Sequence, residues 1–593
     1  MLSSGRTVRC GPAASARRGI AVAAGKGMQA GVRRLGTGNG TTIPGRISLA
    51  IDPGALAGLV AEIRRGSVLV TGSNGKGTTC RMLAEIMRAA GWNPLLNAEG
   101  ANQRSGLATT LVARAGLSGH LPGDAQAAGL FEVDEGSLPE IARHVPAPIA
   151  LVCTNIFRDQ LDRYFEPAYI TALLDRAVRT LPATTALVLN ADDPRVAYLA
   201  ADLPNPRLYF GMSDLGPGRS GADPTSDHPR CPCCEGELAY SRVFYAHLGH
   251  WACSSCGLSR PQPDVTAAKI DLIGATSTRI HVVTATADTV LDVPMPGLYN
   301  AYNALAAATA ATACKLPDSS LGALEGVTAG SLRMERIQVS GHDVYLALAK
   351  NANGYTEVLR AILGDGEPRR MLLGLNDCPG KQPDTSWIWD VDFDALNGLV
   401  PAPVVTGNRA ADLAVRLRYA GWLGDELDQP SDVIVERDPV RAFQAAITAT
   451  PGGEPLWIVS TSIVLWEIRR WLRRQGHVRA LWREQHRAGP PTSAPRPQHP
   501  LRQLPCRQWL SRPVRSHRGR SHLHRRCRDG ARRTRASGAA PAARARRRAQ
   551  RSDRPDDHGG LAVSRPDVDL RRPRERGGDH PPLRLARYRR AGH

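Results

Sequence analysis

Two cysteine pairs, Cys231 with Cys234 and Cys253 with Cys256, stand eighteen residues apart in the middle of the chain. Two C-x2-C knuckles at this separation can close on one tetrahedral zinc, each wrapping one side of the ion. Few features constrain a fold more, because four side chains distant in sequence must meet in one coordination sphere. Gly236 and Gly257 follow the two pairs and would let each knuckle turn back. The alternatives are a pair of disulfides or idle buried thiols. No export signal is visible at the N-terminus, which favours metal over disulfide. Cys233 is a spare thiol beside Cys234. A four-thiolate site has no open position, so zinc here is expected to support folding and not chemistry.

The chain has 593 residues and a formal net charge of +21. Residues 487–593 alone hold 29 arginines, no lysine and 8 acidic residues, a net of +21. Residues 1–42 add seven basic residues and no acid, so the body from 43 to 486 is about seven units acidic. A basic pI usually points to nucleic acid. Here the charge lies in low-complexity ends, and no nucleic-acid partner is expected for the body. No apolar run reaches the roughly eighteen residues that a membrane helix needs. The N-terminus lacks the solid apolar core of a signal peptide. Residues 1–42 are expected to be disordered or a misassigned extension, and the protein is expected to be cytoplasmic.

Short apolar runs at Ser67–Thr71, Ala127–Val133, Ile149–Thr154 and Ala186–Asn190 read as buried strands. Helical patterns lie between them, at Lys76–Ala90 and Ala168–Leu181. This alternation predicts an α/β domain over 43–330, its parallel sheet covered on both faces. The cysteine insert occupies about 227–260, followed by a strand-like stretch at Asp271–Ala285 and a small-residue helix at Asn300–Cys314. A second, smaller α/β domain is predicted over 331–486. Its strands are Val344–Ala349, Met371–Leu375 and Trp457–Ser460, and its helices Thr356–Leu363 and Val464–Arg474. The Pro, Arg and Gly content of 487–593 cannot build a core and predicts disorder.

Thr71–Thr79 reads T-G-S-N-G-K-G-T-T between a strand and a helix, the context a phosphate loop requires. Gly72, Ser73, Asn74, Gly75 and Gly77 would bring backbone amides to the phosphates of ATP, aided by the helix N-terminus. Lys76 would reach the β- and γ-phosphates, and the hydroxyl of Thr78 or Thr79 would ligate magnesium. A plain Gly-rich turn with an exposed lysine is the alternative. Gly77, directly after the lysine, departs from the usual P-loop form.

At this loop the chain resembles the Mur ligase superfamily, whose loops read GTNGKT or GTNGKG. Phe131–Leu138 (FEVDEGSL) is similar to the segment carrying that superfamily's second magnesium site, which implies Glu132 as a magnesium ligand. Thr154–Tyr164 (TNIFRDQLDRY) resembles a TNI…DHLD segment, with Gln160 where a metal-binding histidine often stands. Asn190–Pro194 (NADDP), Gly297–Asn303 (GLYNAYN) and Ser331–Arg336 (SLRMER) resemble nucleotide-pocket segments, which implies Asn300 and Arg333 as ATP contacts. The cysteine insert, Gly100–Thr110 (GANQRSGLATT), Ala349–Tyr355 (AKNANGY) and Ser386–Phe393 (SWIWDVDF) narrow the resemblance to the MurT family, ligase subunits of lipid II isoglutaminyl synthase. The resemblance spans about 43–485 and lacks the UDP-sugar domain of ordinary Mur ligases.

The resemblance implies amidation. ATP would phosphorylate the α-carboxylate of D-glutamate in lipid II, and ammonia would displace phosphate to leave D-isoglutamine, a step of peptidoglycan synthesis. Lys76 and Glu132 are the catalytic candidates in this ligase site. The partner implied is a GatD-type glutamine amidotransferase subunit in a heterodimer that supplies ammonia. The substrate is lipid-linked, which places the enzyme at the inner face of the membrane. An aspartate of the C-terminal domain would complete the partner's Cys–His pair. The motif departs from the family at Lys381 and Gln382; Asp377, Asp384 and Asp390 survive, and Asp384 is favoured among them, with a plain turn or helix cap the alternative for each.

Two other readings compete. A folylpolyglutamate synthase-like ligase would suit the GKG loop but not the cysteine insert or SWIWDVDF. A zinc-ribbon nucleic-acid module with a basic arm would leave the ordered nucleotide segments unexplained. The Arg-rich, Lys-free composition of 487–593 also suits a frame-shifted reading. Codons for Asp569–Pro581 can be chosen so that a shifted frame resembles the YGDRGN segment of GatD-type glutaminases.

Overall fold

The structure is a computed structural model that describes residues 12–35 and 41–478, apart from residue 99, 159–165, several positions within 215–228, 328, 329, 331, 378–383 and 423–432. Gln160, Lys381, Gln382 and the stretch 487–593 lie outside the described residues.

Six strands, β1 (Ser67–Thr71), β2 (Asn93–Leu96), β3 (Ala127–Glu132), β4 (Ala150–Cys153), β5 (Ala186–Asn190) and β6 (Arg207–Met212), pair in parallel in the order β2-β3-β1-β4-β5-β6. Strand β1 shows why a helix must cover each face. Val68 and Val70 pack into one layer with Met82, Leu83 and Ile86 of helix Lys76–Ala89. Leu69 packs into the other with Leu107, Leu111 and Leu174. A parallel strand buried on both sides reads as a continuous apolar run, as SVLVT does. Helix Leu298–Ala313 lies in the first layer, where its small side chains are buried almost throughout.

The chain leaves this sheet after β6 to form a separate hairpin of β7 (Leu238–Tyr245) and β8 (Leu248–Cys253), which carries the cysteines. It returns as β9 (Val265–Ile273), parallel to β6, and continues antiparallel through β10 (Ser277–Val283) and β11 (Asp288–Val293). The sheet is therefore mixed at this edge and not purely parallel. The stretch read as one strand at Asp271–Ala285 is broken at Gly274, whose φ of 52° supports the turn between β9 and β10.

A second sheet follows, made of β12 (Arg333–Val339), β13 (His342–Leu348), β14 (Arg370–Gly374), β15 (Val404–Thr406), β16 (Ile434–Glu436) and β17 (Leu456–Ser460). Its order is β12-β13-β17-β14-β15-β16, parallel except for β12. Its two faces build separate cores, one around Tyr355, Leu359 and Phe393 and one around Phe443, Leu465 and Ile468.

The N-terminal expectation is corrected for residues 12–35. Pro12–Leu35 is a helix packed against helix Ile43–Ile51. Its Ala and Gly content, read as low complexity, serves close approach: Ala21 and Val22 are fully buried, and a Cβ on Gly25 would lie 2.8 Å from Val112. Ser48 Oγ donates to Ala21 O at 2.8 Å, and Arg18 pairs with Glu62 at 2.8 Å. Among the described residues, no helix is long and apolar enough to cross a membrane.

Candidate functional site

The loops that follow β1, β3, β4 and β5 all open at one edge of the first sheet. There the chain order reverses around β1, with β3 on one side and β4 on the other. Such a switch point leaves a crevice at the carboxyl ends of the strands. The phosphate loop occupies it. Gly75 caps helix Lys76–Ala89 with φ 86°, a conformation that a side chain would strain and that Asn303 crowds. A Cβ on Gly77 would sit 3.0 Å from Glu132 Oε2, so the glycine after Lys76 makes room for that carboxylate.

Lys76 and Glu132 lie on the same loop cluster, but the direct partner of Lys76 is Glu135. Lys76 Nζ stands 2.8 Å from Glu135 Oε1, with the carbonyls of Gly72 and Ser73 also accepting from it. Both side chains are buried. Burial pulls Lys76 down, yet Glu135, Glu132 and Asp134 outweigh it and hold the ammonium above its ordinary value. Burial pushes Glu135 up, against the charges of Lys76 and Lys350. Glu132 Oε1 accepts from Asn102 Nδ2 at 3.2 Å, which ties the GANQRSG loop to the site.

Ser73 and Asn74 are braced by the segment after β4. Ser73 N donates to Asn155 O at 2.9 Å and Asn74 N to Asn155 Oδ1 at 2.8 Å. The Asn74 side chain reaches Asn351 of the C-terminal domain at 3.2 Å. Thr78 lines the cleft, whereas Thr79 Oγ1 turns to Asn303 at 3.4 Å. Asn300 and Arg333 line the same cleft, which measures about 760 Å³ including its open mouth. Asn300 Nδ2 is held by Pro296 O at 2.7 Å. Lys350, Asn353 and Glu357 close the cleft from the second sheet's side. Burial raises Glu357 to about 7 even though Arg360 pairs with it at 2.9 Å.

The four cysteines converge. Their sulfurs lie within 4.8 Å of one another, with Cys231–Cys256 at 3.6 Å and Cys234–Cys253 at 3.5 Å. A tetrahedron of Zn–S bonds has edges of about 3.8 Å, so the set fits that ion, and the separations are far beyond a disulfide bond. Cys233 is exposed and outside the cluster. The turn of the first knuckle differs from expectation. Gly257 has φ 75°, but in the first knuckle the positive φ of 57° belongs to Glu235. Gly236 serves space instead, since a Cβ there would sit 2.8 Å from Ser255 Oγ of the other knuckle.

Asp384 stands apart from the cleft residues. Its Oδ1 accepts from Ser386 N at 2.8 Å and so caps the turn Ser386–Asp390. Asp377 is engaged by Arg409 Nε at 2.9 Å, and Asp390 is exposed. Glu135, Asn155, Asn303 and Lys350 are site residues that the sequence reading did not single out. The acid pair in E-V-D-E held the signal for Glu135.

Residues 70–216 match the Mur ligase middle domain and 348–461 the MurT ligase C-terminal domain. The chain is 32% identical over 401 residues to the lipid II isoglutaminyl synthase (glutamine-hydrolyzing) subunit MurT of Streptococcus pneumoniae, covering 67% of this chain and 86% of the relative. With the subunit of the same name from Staphylococcus aureus it shares 30% over 413 residues, covering 68% and 86%. Among solved structures, a pseudomurein peptide ligase type C from Methanothermus fervidus has a similar fold, with TM-score 0.52 and 20% identity over 70% of this chain and 79% of that one. MurF from Acinetobacter baumannii aligns with TM-score 0.50 and 18% identity over 72% and 80%. Two domain matches in the right order, and relatives at 30–32% identity that are 86% covered, lead to one conclusion: the chain belongs to the MurT family of Mur ligases.

Proposed function

We propose that the chain catalyses ATP-dependent amidation of the D-glutamate α-carboxylate of lipid II, as the ligase subunit of a glutamine-hydrolysing enzyme of peptidoglycan synthesis. The observation that carries this reading is one cleft lined by Asn74, Gly75 and Thr78 of the phosphate loop together with Arg333 and Lys350, in a member of the MurT family, with Lys76 and Glu132 set in the same loop cluster and Asn351 joined to Asn74. Gly72–Thr79 would cradle the phosphates of ATP, while Asn300 and Arg333 would flank the nucleotide. Thr78 and Glu132 would hold magnesium, whose charge offsets that of the phosphates when it is bound.

On ATP binding Lys76 would exchange Glu135 for a phosphate oxygen and stabilise the charge that develops on the γ-phosphoryl group. A carboxylate oxygen of the substrate attacks that phosphorus, the bond to ADP breaks, and an acyl phosphate forms. Ammonia then attacks the carbonyl carbon. The C–O bond to phosphate breaks, phosphate leaves, and the nitrogen sheds a proton to give the amide. A GatD-type glutaminase would deliver the ammonia, with Asp384 serving that partner's site. Four thiolates would hold a structural zinc. A lipid-linked substrate calls for work at the inner face of the membrane.

The test is direct. The purified chain, given ATP, magnesium and ammonium, should convert lipid II to its amidated form. ATP turnover that requires a free amino acid in place of ammonium would instead favour the folylpolyglutamate-type reaction.

A further inference from the structure

The cysteine hairpin has two ends, and only one carries the cysteines. At the other, β7 turns into β8 through Ala246 and His247, and Tyr245, Ala246, His247 and Leu248 are all buried in the first domain. The His247 side chain is fully buried, with Nδ1 at 2.7 Å from Asp227 Oδ1 and Nε2 at 3.3 Å from Asp193 Oδ2. A ring between two carboxylates carries a charge: burial lowers its proton affinity, but Asp227 and Asp193 raise it to about 9. Arg195 closes the far side of Asp227 at 2.8 Å.

Asp193 is not a passive counter-ion. Its Oδ2 accepts from Ile156 N at 2.8 Å, and its Oδ1 accepts from Arg195 N at 3.0 Å at the start of helix Pro194–Ala197. The His247 ring also packs edge-on against Phe157, centroids 5.1 Å apart. Phe157 N donates to Ser73 Oγ at 2.9 Å. Ile156 and Phe157 follow directly on Asn155, the residue that holds the backbone of Ser73 and Asn74. A continuous set of contacts therefore runs from the hairpin tip through residues 155–157 into the phosphate loop. Tyr245, two residues before His247, lines the cleft itself.

From this geometry we infer that His247 is a positioning residue for nucleotide binding, through which the cysteine hairpin clamps residues 155–157 and with them the phosphate loop. The hairpin is then a working part of the nucleotide site and not an appendage stabilised for its own sake. Loss of the imidazolium leaves Asp193 and Asp227 facing each other with no cation between them, Arg195 reaching only the far side of Asp227. Asp193 would then shift from Ile156, and the Ser73–Asn74 backbone would lose its fixed position. Lys76, held from its own side by Glu135, would stay close to its place. The effect should fall on nucleotide affinity first and on turnover at saturation much less.

The inference rests on the ATP reading, and the experiment separates the two. Binding of ADP and of a non-hydrolysable ATP analogue is measured by calorimetry on the full chain with its partner, for the parent, His247→Gln and Asp227→Asn. Zinc content and thermal midpoint are recorded on the same samples. The expected result is roughly tenfold weaker nucleotide binding in His247→Gln and a smaller loss in Asp227→Asn. Zinc content should be unchanged, and KM for ATP should rise while kcat stays within about twofold. Should His247→Gln fail to fold, Asp227→Asn alone still decides, because a folded, zinc-loaded variant with parental affinity contradicts the clamp. Parental affinity in both variants, or a fall in kcat with KM unchanged, would overturn the inference. Absence of nucleotide binding in the parent would overturn the ATP reading beneath it.

Discussion

Lys76 is buried against Glu135 and two carbonyls, so its ammonium is already desolvated and aimed into the phosphate loop before any ligand arrives. Replacing it by alanine removes a donor that acts on developing phosphoryl charge, and loss of one such donor costs on the order of 100-fold or more in kcat. Lys76→Ala should therefore lose at least about that factor in ATP-dependent amidation, while its circular dichroism and partner binding stay parental. Turnover near the parental level would remove the lysine from the mechanism. His247 makes a second residue-scale prediction. Its facing charges are Asp193 and Asp227, with Arg195 behind Asp227 and the Tyr240 hydroxyl nearby. A histidine raised to about 9 stabilises the fold fully below its unfolded value near 6.5, and that contribution is lost as pH rises through 9. The denaturant midpoint of the parent should fall between pH 7 and 9.5, and His247→Gln should lack that part of the fall. Parallel curves for the two proteins would show that the ring is neutral in the fold.

At the scale of elements, the cysteine hairpin and the turn at Ser386–Asp390 carry the separable claims. Sulfurs spaced 3.5–3.6 Å apart predict about one zinc per chain by metal analysis. Cys231→Ser or Cys256→Ser should lower both the zinc content and the thermal midpoint. An iron–sulfur spectrum, or no metal in a folded protein, would contradict this. Asp384 caps its turn through Ser386 and is also the candidate for the partner's glutaminase site. These roles separate by nitrogen source. Asp384→Asn should suppress glutamine-driven amidation at least about tenfold more than amidation driven by added ammonium. Equal losses would assign the residue to the ligase site or to folding. Much of this scale was legible in advance. Buried parallel strands such as SVLVT have one reading because both faces demand apolar side chains, and β1 and β5 fall where the sequence put them. The break at Gly274 and the small-residue helix Pro12–Leu35 were not legible. Glycine and alanine signal flexibility and close packing alike, and only the partner surface decides between them.

For the whole molecule, the two sheets meet at the phosphate loop, where Asn74 and Asn351 join side chains and Lys350, Asn353 and Glu357 complete the cleft. The order of short segments along the chain revealed the family, and with it the cleft residues Asn300 and Arg333. It could not reveal which acid of E-V-D-E meets Lys76, since a short turn at Glu135–Ser137 swings the last of its three acids back toward the loop. Nor could it reveal His247, a single histidine between Ala246 and Leu248 that gains meaning only from two aspartates brought up from elsewhere. The central claim is that this cleft activates a carboxylate by phosphorylating it. Its most direct measurement uses lipid II carrying oxygen-18 in the D-glutamate α-carboxylate, turned over with ATP and ammonium by the chain and its partner. Passage through an acyl phosphate predicts one labelled oxygen in each inorganic phosphate released. Unlabelled phosphate alongside amidated product would contradict it.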